Sequence, residues 1–262
     1  MTTILRRTFR EPLAAKVPEV TVVFWVVKIL TTGGGEAVSD YLSLGSKVVG
    51  GAVELGLFLI GLAWQFRTRR YTATAYWFLA YAIAIFGCGV ADLMHKTLGI
   101  PYAGTSLFWA AVLAAVLITW FRAERTLSIH SITTRRRELF YWATVFATFA
   151  LGTAVGDFTA TALGLGYLAS GVLFAGLILM PWIAWSRFRL GEVAAFWWAY
   201  VLTRPLGASF ADYLCKPTGH GGVGFGEGPT ALVLTAAVVV LVVYLSIARN
   251  DIQPHAPDPA PT

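Results

Sequence analysis

The sequence predicts an all-α fold: a polytopic membrane bundle of about eight transmembrane helices, built as four parallel two-helix repeats. Three observations predict it. The 262 residues are 57% hydrophobic and only 13% charged, about half the charged share of an ordinary soluble domain. Apolar runs of about 20 residues recur, the length that crosses a hydrocarbon core of roughly 30 Å. A spaced pattern of Trp, Gly and Asp returns four times along the chain.

The runs fall at residues 20–42, 48–66, 72–93, 105–122, 139–160, 166–185, 192–214 and 230–248. Each is read as one transmembrane helix. Segments one, three, five and seven carry internal glycine and charge, whereas two, four, six and eight are plainer, so the odd helices are expected inside and the even ones toward lipid. Residues 1–18 are expected to be a cytoplasmic segment, 19–250 a single membrane domain, and 251–262 a disordered cytoplasmic tail, because "NDIQPHAPDPAPT" is Pro-rich and has no apolar face. Within the membrane domain the repeats run over about 19–70, 71–127, 138–190 and 191–250. The first sixteen residues contain no apolar run, so the first helix itself would direct insertion.

Charge placement sets orientation. Arg67, Arg69, Arg70, Arg122, Arg125, the run 135–137, Arg187, Arg189 and Arg249 lie at segment ends that must share one side, as do the basic residues near the N-terminus. Lys47, Lys96 and Lys216 fall on the other side, and Lys28 and Arg204 lie inside segments. Cytoplasmic loops carry the excess of Lys and Arg, which places both termini in the cytoplasm of an inner, plasma-type membrane. Net charge of +6 therefore reports topology and attraction to anionic lipid, and no nucleic-acid partner is expected. The loop "RAERTLSIHSITTRRRELF" belongs to this basic side, with His130 expected in solvent.

The recurring pattern is W-x9-G-x4-D: Trp25, Gly35, Asp40; Trp77, Gly87, Asp92; Trp142, Gly152, Asp157; Trp197, Gly207, Asp212. Chance would give about 0.02 occurrences in a chain of this composition, so four mark internal duplication. Each unit contains two crossings and all four share one orientation, which makes the repeats parallel. The Trp is expected at the membrane interface, the Gly where helix backbones approach closely, and the Asp about 22 Å further along, in the opposite half of the bilayer.

"KVPEVTVVFWVVKILTTGGGEAVSDYL" and "FWWAYVLTRPLGASFADYLCKPTGHGGVGFG" resemble bacterial membrane proteins built from a repeat of unknown function, the DUF347 family. The resemblance covers nearly the whole chain apart from the first ten or so residues and the tail from Gln253. It implies fold and topology and carries no activity. The second unit departs from the pattern in "FGCGVADLMHKTLG", with Cys88 and His95.

Candidate chemistry follows from helical phase. Steps of four stay on one face: four before each Asp stand Glu36, Cys88, Thr153 and Ala208; eight before, Thr32, Ala84, Phe149 and Arg204; twelve before, Lys28, Ala80, Val145 and Tyr200. If these faces line the interior, Asp40, Asp92, Asp157, Asp212 and Glu36 set five acids against two bases, Arg204 and Lys28. Such an excess calls for a bound cation, protons or a wetted vestibule. Two readings stand beside each other. In one the carboxylates bind a cation or protons in a transport path, the four Asp being the metal ligands, Glu36 coupling, Thr153 and Cys88 accessory groups, and Arg204 and Lys28 compensating charge and gating. In the other the Asp residues cap helix ends in a scaffold, sensor or accessory protein that transports nothing. Glu54 is either a functional membrane carboxylate or one satisfied by an interhelical hydrogen bond. His95 either joins Asp92 as a metal pair or sits in solvent.

Pro205 removes a backbone donor beside Arg204, which predicts a kinked or broken seventh helix. The loop "KPTGHGGVGFGEGP" is expected to be a lid or a flexible connection, and it lacks the Gly-Lys-Ser/Thr of a phosphate loop. Cys88 and Cys215 are not expected to pair. No triad order, zinc-protease spacing or kinase signature is present, so an enzyme is not expected, nor an organic cofactor. Lipid and a cation or proton are the expected partners, and a cation carrier the expected function, with a divalent metal and proton coupling both open.

Overall fold

The computed structural model describes residues 15–188 and 190–253. Eight long helices and no strand make up these residues: α1 Val22–Ser43, α2 Lys47–Arg67, α3 Ala73–Asp92, α4 Tyr102–Glu124, α5 Arg135–Asp157, α6 Tyr167–Phe188, α7 Glu192–Cys215 and α8 Glu227–Ala248. Side-chain oxygens of Thr21, Ser46 and Thr134 accept from the first turns of α1, α2 and α5, satisfying donors that a helix start leaves unpaired. Beyond Asp92 and Asp157, α3 and α5 widen into one π-helical turn each, Leu93–Thr97 and Phe158–Ala162.

Among the described residues, seven helices are long and apolar enough to cross a membrane. The remaining one, α7, is 24 residues long, and its hydropathy is lowered by Arg204, Thr203, Ser209 and Asp212. All four of these are buried, and α7 is held between α1 and α5 with α6 against it, so it crosses with them. It runs unbroken through Pro205; the proline removes one hydrogen bond without ending the helix.

The packing order explains the repeat. Helices α1, α3, α5 and α7 form a closed ring in which each touches the next and α7 returns to α1. The even helices cover it from outside. Of the most apolar stretch of each span, 61%, 56% and 67% is buried for α1, α3 and α5, against 22% for each of α2, α4, α6 and α8. The helix pair of one repeat is not the packing unit, however. Helix α2 lies chiefly on α3, α4 on α5, α6 on α7, and α8 on α1. Every repeat therefore covers the inner helix of its successor, and the last covers the first.

The motif glycines set the ring's diameter. Gly35 faces Ala84, Gly87 faces Phe149, Gly152 faces Arg204 and Pro205, and Gly207 faces Thr32 and Gly33. In each case the partner stands eight residues before the Asp of the next inner helix. A Cβ at Gly35 would lie 2.9 Å from the Ala84 carbonyl carbon, and one at Gly207 would lie 2.8 Å from the Gly33 nitrogen. Only glycine lets the backbones meet at this distance.

Two expectations are corrected here. Three of the four motif tryptophans do not face lipid: Trp77, Trp142 and Trp197 are 1%, 3% and 6% exposed, packed edge-on to Tyr76, Tyr141 and Tyr200 in an aromatic floor that closes the ring at that end, whereas Trp25 is half-buried. A ring of four helices leaves a central gap that backbone alone cannot fill, and bulky rings fill it. The tail also begins later than residue 251, because Asp251 is 2% exposed, accepts a hydrogen bond from the Tyr71 hydroxyl, and offers its carbonyl to the Glu19 amide at 2.8 Å. The expected disorder of 254–262 lies outside the described residues, as do residues 1–14 of the expected N-terminal segment.

Candidate cation site at the Asp end of the ring

The ring axis is lined in layers, one per helical turn, as the steps of four predict. At the Asp end the motif carboxylates meet two lysines. Lys216 Nζ lies 2.5 Å from Asp40 Oδ2, 3.5 Å from Asp212 Oδ1 and 3.6 Å from Glu227 Oε1. Lys96 Nζ lies 2.6 Å from Asp92 Oδ2 and 3.8 Å from Asp40 Oδ1. With Glu227 added, six carboxylates thus face four cationic groups instead of the expected two. Sequence reasoning set both lysines on the correct side but outside the layer. The signal was available: Lys96 and Lys216 each follow a motif Asp by four residues, the spacing of a helical ion pair.

Asp157 differs from the other three. No ion pair involves it among the described residues, although the charges of Asp92 and Asp212 reach it. Nor does any of the four Asp side chains accept a described loop amide, so cap geometry is not what places them. The α7 end is capped by its own loop, where the amides of Val223, Phe225 and Gly226 bond the carbonyls of Tyr213, Leu214 and Cys215 at 2.7–3.1 Å. Gly221, Gly224 and Gly226 take positive φ there, which glycine adopts without steric cost. Lys216 therefore points inward from an ordered loop. Burial works against its charge, but Asp212 and Asp40 outweigh burial and hold the ammonium above the ordinary lysine range.

One turn deeper, Glu36 is 3% exposed. The Cys88 thiol donates to its Oε1 at 3.2 Å, and Arg204 Nη2 stands 2.8 Å from its Oε2. The guanidinium ties all four inner helices together: Nη1 donates to the Thr32 carbonyl at 2.5 Å, Nη2 to the Thr153 hydroxyl at 2.7 Å and, more weakly, to the Ala84 carbonyl at 3.4 Å, and Nε to the Phe149 carbonyl at 3.4 Å. A planar fork of five donors suits this position as an ammonium would not. Glu36, Asp40 and Asp212 each present one oxygen within 4.8 Å of the others, which matches the span across a hard divalent ion with ligands at about 2.4 Å.

The remaining candidates lie apart from this cluster. Glu54 accepts from Ser39 at 2.7 Å and rests on the bare backbone of Gly89, so it joins α1, α2 and α3. His95 Nδ1 is 2.8 Å from the Ile100 carbonyl, and its ring stacks on Tyr102 with centroids 3.4 Å apart. Cys88 and Cys215 are both free. Lys28 lies two turns below Glu36, its Nζ 3.8 Å from the Phe149 ring centroid and 4.0 Å from that of Tyr200.

A second polar cluster, at the Trp end, was not foreseen. Lys16 Nζ meets Glu138 Oε1 at 2.5 Å and the Gln65 carbonyl at 2.7 Å, and Arg135 donates to Glu138 Oε2 at 2.8 Å. Burial outweighs Glu138 here and pulls the Lys16 ammonium down to about 8. Spacing announces only its Arg135–Glu138 pair, three residues apart on one helix; Lys16 and Gln65 come from separate segments.

Fourfold placement of Trp, Gly and Asp around one axis is the signature of a single duplicated unit, and the family comparison identifies that unit. A model described as Repeat of Unknown Function (DUF347) matches residues 23–71, 75–126, 140–190 and 195–251. The chain belongs to the DUF347 repeat family. No curated protein and no solved structure matches it. Each DUF347 repeat supplies one ring helix carrying the motif and one outer helix that covers the next repeat, which makes the protein a multi-pass membrane bundle.

Proposed function

We propose that this DUF347 protein is a carrier of cations across a bacterial inner membrane, with the Asp end outside and both termini in the cytoplasm. Orientation is supported by the arginines, which cluster at the Trp end of the ring. Function rests on one observation: oxygens of Glu36, Asp40 and Asp212, from two neighbouring ring helices, converge within 4.8 Å at the mouth of an axis sealed below by Arg204. Buried carboxylates are costly in a membrane and are kept where they do work. Lys216 already holds a positive charge there, so an incoming cation would displace a tethered one, and Arg204 would exchange Glu36 for its other acceptors as the site fills.

A second reading is favoured by the same lysines: Lys96 and Lys216 neutralise the carboxylates well enough for a static network in a scaffold, sensor or accessory protein. The thermal stability of the detergent-purified chain, measured with Mn, Zn, Mg, Ca, Co, Ni and Na ions, separates the two. A ligand at 100 times its dissociation constant adds about 2.7 kcal/mol. Carriage predicts a shift by at least one ion that is lost in Asp40→Asn and Asp212→Asn; the static network predicts no shift by any ion.

A further inference from the structure

Beneath Arg204 the axis holds a buried amine that the cation site does not use. Lys28 is 1% exposed and its Nζ has no hydrogen-bond partner. It is wedged between the faces of Phe149 and Tyr200, and the Phe149 ring is shared with Arg204, whose guanidinium carbon lies 5.3 Å from the centroid. Cation–π contact supports an ammonium in this place, yet an ordinary structural lysine would find a carboxylate or carbonyl. Below it the hydroxyls of three ring tyrosines converge. Tyr76 and Tyr141 are hydrogen-bonded to each other, and the Tyr200 hydroxyl, buried without a hydrogen-bond partner, lies beside them. Tyr71 packs beside them, its ring edge-on to Tyr76 at 5.7 Å and its hydroxyl on Asp251. Three hydroxyls therefore gather beneath Lys28 in an otherwise apolar floor, with the Tyr71–Asp251 pair beside them toward the Trp end.

We propose that Lys28 is a proton-exchange site fed from the Trp end through the Tyr76–Tyr141–Tyr200 cluster, and that a proton on its amine opposes a cation in the Glu36–Asp40–Asp212 cluster. The exchange requires Nζ, now 4.0 Å from the Tyr200 ring centroid, to swing to the hydroxyl of the same ring. There the amine lone pair takes the phenolic proton as the O–H bond breaks, and Tyr200 is resupplied from Tyr76 and Tyr141. Each hydroxyl gives one proton and takes one, so the cluster is unchanged after each passage. A charged Lys28 adds a second positive group beside Arg204 and lowers cation affinity above it, which makes the exchange an antiport. The direction of coupling rests on the carrier reading; the exchange at Lys28 does not.

The charged and titratable groups facing Lys28 are few. Helix α7 presents Arg204 and Tyr200; α3 and α5 present Tyr76 and Tyr141 below Tyr200. Glu36 lies two turns along α1 itself, Glu54 of α2 is bonded to Ser39 at the Asp end, and α8 offers Tyr244 only on its 48%-exposed outer side.

The test is thermal unfolding of the full-length chain in detergent between pH 5 and pH 10, without added cation, for wild type, Lys28→Met and Lys28→Arg. Proton linkage makes the wild-type minus Lys28→Met difference change with pH wherever folded and unfolded chains differ in the proton they carry at this amine. Exchange predicts a break: the difference slopes on one side of some pH within the range and is level on the other, and the same break is seen against Lys28→Arg. A level difference throughout means a permanent ammonium, and a straight slope without a break means an amine that is never protonated; either overturns the proposal. Should Lys28→Met not fold, the Lys28→Arg comparison decides alone by the same criterion. No cation enters this experiment, so its failure and the failure of the cation site are read separately.

Discussion

Replacing Arg204 by Met should be the most damaging single change in the ring. Its side chain is fully buried, and it holds Glu36, Thr32, Ala84, Phe149 and Thr153 on all three other inner helices. Met keeps much of the volume but strands the Glu36 carboxylate with only the Cys88 thiol as donor. Breaking a buried ion pair by removing one partner costs about 3–5 kcal/mol, about a fifth or more of a stability on the order of 5–15 kcal/mol. Most of that is the uncompensated charge, so Glu36→Gln in the same chain should restore much of it, with a coupling energy of about 2 kcal/mol or more in the double-mutant cycle. Denaturant unfolding in mild detergent, followed by fluorescence of the buried motif tryptophans, reads the cycle directly. A loss below about 1 kcal/mol for Arg204→Met, or additive losses in the double variant, would show that Arg204 does not organise the axis and would refute the reasoning.

Other perturbations address separate parts of the account. Gly207→Ala places a methyl against Thr32 and the Gly33 backbone and should lower stability by about 1–3 kcal/mol, whereas Gly56→Ala in α2, with nothing within 4 Å, should raise it by about 0.5–1 kcal/mol; chemical denaturation compares the two. Lys216→Met removes the tethered cation from Asp40, Asp212 and Glu227 and should raise the affinity of any cation that stabilises the wild type by about tenfold or more, read from the cation concentration at half-maximal Tm shift. The Lys16 ammonium is held down at about 8 against 10.5 in the unfolded chain, so between those values the unfolded state carries the extra proton and stability rises with pH. Below pH 8 the full cost of burying that charge is present. Lys16→Met should flatten the rise of Tm between pH 8 and about 10.5.

Much of this architecture is written in local periodicity. The apolar runs mark the helices, and the recurrence of Trp, Gly and Asp marks the four units. Steps of four from Asp40, Asp92, Asp157 and Asp212 name the layers before any coordinate is seen, because helical phase carries a residue's face along the whole span. What sequence does not carry is which helix covers which. Packing α2 on α3 and α8 on α1 is a property of ring closure, and nothing in the repeat distinguishes it from packing within a pair. The tryptophans mislead for a related reason: amphipathic rings near a helix end suit a lipid interface and a ring floor equally, and only the central gap decides. Lys96 and Lys216 were legible as i,i+4 partners of Asp92 and Asp212, yet helices α3 and α7 had to continue far enough, through a π turn in α3 and to Cys215 in α7, to bring them inward. The Lys16–Glu138 pair and the Tyr71–Asp251 bond join distant segments and have no sequence signal.

Uptake into proteoliposomes tests the central claim most directly: the ion that raises the Tm of the purified chain is supplied outside, and its accumulation is measured for wild type, Asp212→Asn and empty vesicles. Carriage through the Glu36–Asp40–Asp212 cluster predicts uptake by wild type and a fall to the empty-vesicle rate in Asp212→Asn, with the variant folded by its own melting curve. Uptake that persists undiminished in folded Asp212→Asn, or a wild type no faster than empty vesicles, would contradict it.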